Sequence, residues 1–109
     1  MSVRVVILRG AEADLRELRR YVCKRFGAER WADTLRSIRE ALLRIGEHPQ
    51  SGHFPEEMAT LHLMQYRQVL AGKNRIIYEL RGAMAYVHLV CDVRRDLKAV
   101  LLRRLLETP

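Results

Sequence analysis

A chain of 109 residues with a formal net charge of +7 and a pI near 10.1 has the length of one domain, taken here as residues 1–109, and a surface suited to acidic partners. Its apolar fraction of 49% supports a core without staples and excludes a disordered chain. No apolar run nears the ~18–20 residues of a membrane span, and two cysteines, Cys23 and Cys91, are too few for a disulfide scaffold or a zinc site.

Val3 to Leu8 is apolar and β-branched, with Arg4 its one charge, and predicts a strand buried on both faces. No small-residue cleavage site follows it, so a signal peptide is not expected and the cytoplasm is the default location. Arg9-Gly10 predicts a turn. From Ala11 to Phe26, the residues Ala11, Leu15, Leu18, Val22 and Phe26 recur at three- and four-residue steps, the spacing of one helix face. Glu12 and Asp14 stand in the first turn and Arg19, Arg20, Lys24 and Arg25 later, as the helix dipole favours. Gly27 ends that helix. A second runs from Glu29 to Ile45, with Trp31, Leu35, Ile38, Leu42 and Ile45 as its seam, and so short a connection predicts an antiparallel hairpin. Leu43 lies off the seam and could extend its packing.

Glu47 to Gln65 is the loosest stretch. It holds His48, His53 and His62 without the spacing of a metal site, and Met58, Leu61, Leu63 and Met64 are expected to tuck part of it onto the core. Three apolar runs follow, cut by Gly72-Lys73 and Arg81-Gly82-Ala83, which predicts a three-stranded antiparallel meander. In the last run Val87, Leu89, Cys91 and Val93 alternate as one apolar core face, with Tyr86, His88, Val90 and Asp92 on the other. Both cysteines read as small buried hydrophobes. Arg67, Arg75, Tyr86, His88, Arg94 and Arg95 are candidates to gather on or beside one half-exposed sheet face. Asp96 is placed to cap a last helix whose buried stripe is Leu97, Val100, Leu101, Leu105 and Leu106, leaving Leu102 outside it for a partner. The fold expected is α+β: an N-terminal strand, a helix hairpin, the meander joining the first strand in one sheet, and a C-terminal helix.

RQVLAGKNRIIYEL followed by LVCDVRRDLKAVLLRRLL, together with the HPQSG loop, resembles the RelE/ParE superfamily of type II toxin–antitoxin toxins over nearly the whole chain. The RelE-like branch cleaves mRNA on the ribosome, and the positions matching its basic groups are Arg67, Arg75 and Arg94 or Arg95. Cleavage also needs a group that moves protons. The last helix, LKAVLLRRLLETP, has no tyrosine or histidine, Val69 fills a second basic position, and arginine holds its proton too tightly to shuttle it. Histidine is the side chain suited to proton transfer near neutrality, but His88 lies on a strand, off the family position. The ParE-like branch is therefore favoured. It implies a toxin that inhibits DNA gyrase without cofactor or metal, with a ribosome-dependent endoribonuclease as the alternative. Target contacts would come from Arg75, Arg94, Arg95, Arg103 and Arg104. A ParD-like antitoxin would neutralise it, with Arg19, Arg36, Arg39, Leu43 and Leu102 as candidate contacts, and operator DNA would be reached only through that antitoxin.

Overall fold

The computed structural model describes residues 2–107. The chain runs β1 (Arg4–Ile7), α1 (Arg9–Phe26), α2 (Ala28–Glu47), α3 (Glu56–Ala59), β2 (Tyr66–Ala71), β3 (Asn74–Arg81), β4 (Met84–Asp92) and α4 (Leu97–Glu107). The strands form one sheet in the order β1-β4-β3-β2, with β1 parallel to β4 and the meander antiparallel. This is the expected α+β arrangement. The meander turns as its glycines suggest, with Gly72 and Gly82 at φ of 60° and 57°, where a side chain is strained.

Apolar clusters cover both faces of the sheet. Ile38, Ala41 and Ile45 of α2 and Ala11 of α1 pack on Val69, Ile76, Tyr78, Ala85 and Val87. On the opposite face, Leu97 and Leu101 of α4 and Met58 of α3 pack on Tyr66, Ile77, Leu89 and Cys91. The helix hairpin turns at Gly27, whose φ of 94° lets one residue end α1 and begin α2. Asp96 caps α4 as expected, its carboxylate accepting from the Ala99 amide at 3.2 Å.

Several expectations need correction. Residues Arg9 and Gly10 open α1 instead of forming a turn. Strand β1 is an edge strand and only half-buried, because nothing in the sheet lies beyond it. The alternation along β4 breaks at His88: Tyr78 pairs with Val87 and Ile77 with Leu89, so His88 has no partner and forms a bulge. Val87 therefore faces the helix hairpin while Leu89 and Cys91 face α4. Val93 lies beyond the strand and is exposed, as are Phe26, Met64 and Leu106, all expected in the core. Cys91 is buried, but Cys23 is only half-buried. The segment before β2 is less loose than its composition suggests, since α3 seats Met58 fully in the core.

Candidate functional site

Sheet parity divides the expected cluster of arginines. Arg75 pairs across from Leu70 and Cys91 and so lies on the α4 face, whereas Arg67 pairs across from Tyr78 on the hairpin face. Arg67 therefore does not join Arg75. Its guanidinium donates to the Gln50 and Gly52 carbonyls at 3.1 Å each and lies 4.4 Å from the centre of the Phe54 ring. The Tyr78 hydroxyl completes this anchor, donating to the Pro49 carbonyl at 2.7 Å and accepting from the Gly52 amide at 3.2 Å. The HPQSG loop is thus pinned from below by β2 and β3.

Arg75 is 8% exposed. Its Nη1 and Nη2 grip the Glu57 carboxylate at 2.7 and 3.0 Å, and its Nε donates to Gln68 Oε1 at 2.8 Å. Planar two-point pairing of this kind suits arginine. The hydrogen bonds from Arg75 hold the Glu57 carboxyl below its usual range, although desolvation opposes them. The same partnership raises the Arg75 pKa further, so it is a permanent cation and not a proton shuttle. Glu57 has no counterpart in the sequence-based site, and the two acidic residues opening α3 were its only signal.

On the same face, next to the bulge, His88 Nε2 lies 2.9 Å from Glu79 Oε1, and Arg81 Nε donates to Glu79 Oε2 at 3.1 Å. The Tyr66 ring meets the His88 ring edge-on at 5.1 Å. Burial, followed by the Glu79 charge, raises the Tyr66 pKa and keeps its hydroxyl protonated. This is a closed polar cluster, and Glu79 itself is 7% exposed.

Arg94 and Arg95 occupy the exposed turn between β4 and α4. Arg94 folds back on Asp92, whose Oδ1 accepts from its backbone amide at 2.8 Å and its Nε at 2.9 Å. Side-chain hydrogen bonding from Arg94 lowers the Asp92 pKa. Arg103 is exposed on α4. Arg104 was expected beside it on the outer side but turns inward. It binds Asp14 of α1 at 2.7 Å and donates to the His88 carbonyl at 2.8 Å. Asp14 in turn accepts from the Val90 amide at 3.0 Å. The ion pair thereby satisfies β4 backbone groups beyond the end of β1.

Of the antitoxin-facing candidates, Arg36, Arg39 and Leu43 share one stripe of α2 by their spacing, and Leu43 is 64% exposed. Arg39 and Leu43 border a cleft of about 620 Å³ floored by Val3, Val5, Ile7 and Leu42, beside the free edge of β1. Arg19 is on α1, and Leu102 is on α4 across the sheet, so neither shares that surface. Among the described residues no group of three or more His, Cys, Asp or Glu is placed to hold a metal ion, and no helix is long and apolar enough to cross a membrane.

Comparison with known proteins agrees with this architecture. Residues 5–98 match the family model described as "ParE toxin of type II toxin-antitoxin system, parDE". No curated protein matches the chain. Among solved structures, a chain of the "Chromosomal ParDE TA system from P. aeruginosa" superposes with a TM-score of 0.69 at 15% identity, covering 84% of this chain and 96% of that one, a likeness of fold. With a strand, a helix hairpin, a meander and a closing helix in that order, and a family match across most of its length, the chain belongs to the ParE toxin family of type II toxin–antitoxin systems.

Proposed function

We propose that this toxin acts by binding and inhibiting DNA gyrase, and that an acidic antitoxin neutralises it. The observation that carries the reading is the dispersal of the groups an RNase would need. Arg67 pins a loop on one face of the sheet, Arg75 is closed by Glu57 on the other, and α4 carries neither tyrosine nor histidine. Arginines without a proton donor or acceptor can stabilise charge but cannot activate a hydroxyl. What remains exposed is a set of cations at the end of the sheet, Arg94, Arg95 and Arg103, which suits an acidic protein surface.

The antitoxin reading rests on the cleft between β1 and α2. An apolar segment seated against Val5, Ile7, Leu42 and Leu43 would remove that surface from water, and an acidic side chain could pair with Arg39. An antitoxin tail that folds as it binds fits such a surface.

Expression of the toxin alone tests the target. The expected result is growth arrest with a DNA-damage response and intact mRNA. Codon-biased mRNA cleavage at the onset of arrest would instead establish the ribosome-dependent nuclease.

A further inference from the structure

Two clefts of about 540 and 470 Å³ share Leu18, Tyr21, Asn74, Asp92 and Arg94, and so form one continuous furrow. It runs from the groove between α1 and α4, past the end of β4, to the corner where α1, α2 and the β2–β3 turn meet. None of the groups discussed above as antitoxin contacts lines it.

Two features of the furrow are unusual for a plain solvated surface. First, it displays two large aromatic side chains. Tyr21 is 50% exposed and Phe26 is 53% exposed, with ring centres 6.3 Å apart and planes at 72°. Each already carries a guanidinium on its ring, Arg25 at 5.8 Å from Tyr21 and Arg30 at 5.1 Å from Phe26. Each ring still leaves about half of its surface in water. Second, its carboxylates are largely paired. Asp14 is bound by Arg104 and Asp92 by Arg94, while Glu17 and Asp33 pair with Arg20 and Arg36. Arg25, Lys73, Arg95 and Arg103 are exposed along its length and, among the described residues, have no carboxylate within ion-pair distance.

We propose that this furrow binds a short stretch of single-stranded nucleic acid, with bases against Tyr21 and Phe26 and phosphates among Arg25, Lys73, Arg95 and Arg103. Exposed rings set among unpaired cations form the combination that single strands exploit, because an unpaired base has a free face to stack and a backbone charge at every step. A duplex offers the same charge but keeps its base faces to itself. An acidic polypeptide also satisfies the cations, but leaves the two rings without a specific use.

The test is fluorescence anisotropy of the purified full-length toxin with labelled oligothymidylate, with the duplex of equal length, and with polyglutamate as competitor. The single strand is expected to bind more tightly than the duplex. Tyr21→Ala and Phe26→Ala should each weaken single-strand binding about tenfold while leaving duplex binding unchanged. Arg95→Ala and Arg103→Ala should each reduce the slope of log affinity against log salt by about 0.7. These four side chains are exposed, so circular dichroism should show folded variants. Equal binding of both nucleic acids, indifference to the two aromatic substitutions, or displacement by polyglutamate at equal charge would each overturn the proposal. It shares Arg95 and Arg103 with the gyrase reading but is tested apart from it: a toxin that inhibits gyrase yet ignores oligothymidylate loses this site alone.

Discussion

Asp14 and Arg104 meet at 2.7 Å although 90 positions separate them, and together they finish the edge of β4 where β1 stops. Both side chains are about four-fifths buried, so the pair is largely shielded from water. Loss of either side chain breaks the pair and leaves a β4 backbone group, the Val90 amide or the His88 carbonyl, without its bond. Asp14→Ala and Arg104→Ala should each lower stability by about 2–3 kcal/mol. The double variant should cost clearly less than the sum, which a double-mutant cycle in urea would measure.

Gly10 makes room for that pair. A Cβ built there would lie 2.6 Å from Arg104 Nη1 and 2.9 Å from its Cδ, so alanine requires the Arg104 side chain to shift, which loosens its fit to Asp14. Gly10→Ala should therefore destabilise the toxin by about 1–2 kcal/mol in the natural background, yet be neutral or stabilising once Arg104 is alanine, since alanine is the better helix former. Equal effects of Gly10→Ala in the two backgrounds would break the link between the residues.

The Gly52–Tyr78 contact predicts a cost of another kind. A Cβ at Gly52 would collide with the Tyr78 hydroxyl, and the ring atoms behind it stand 2.9 Å away in a fully buried side chain that cannot swing aside. Gly52→Ala should lower stability by about 2–3 kcal/mol, measured by thermal unfolding. Tyr78→Phe should cost less, about 1–2 kcal/mol, by leaving the Pro49 carbonyl and Gly52 amide without their partner.

Acid should release α3 early. The Glu57 pKa is lower in the folded chain than its ordinary value of 4.5, mainly through its hydrogen bonds from Arg75. A depressed carboxylate contributes stability that is complete above the unfolded pKa and is lost as pH falls through the folded one. The Arg75 link should therefore hold near neutrality and weaken below about pH 4. Protection of the Met58 and Leu61 amides against hydrogen exchange, relative to the intrinsic rate at each pH, should fall in that range, and Glu57→Gln should remove most of the dependence.

How far the sequence carries is clearest at β4. The apolar runs, the two turn glycines and the hairpin seam made the element order legible, because each depends on local spacing. The His88 bulge was not legible: nothing near it breaks the alternation, and the extra residue is set by how β4 meets both β3 and α4. With the parity of β4 changed midway, Val87 and Leu89 part company. Arg67 and Arg75 were separable by alternation alone, but grouping them required a register that sequence does not supply. Arg104 shows a further limit. Its helix position reads as outward until Asp14, far away in sequence, draws it across the edge of the sheet.

The most direct measurement adds purified toxin to a DNA gyrase supercoiling reaction on relaxed plasmid. Dose-dependent loss of supercoiling is expected, relieved by an antitoxin that covers the cleft between β1 and α2. Normal supercoiling at saturating toxin would contradict it.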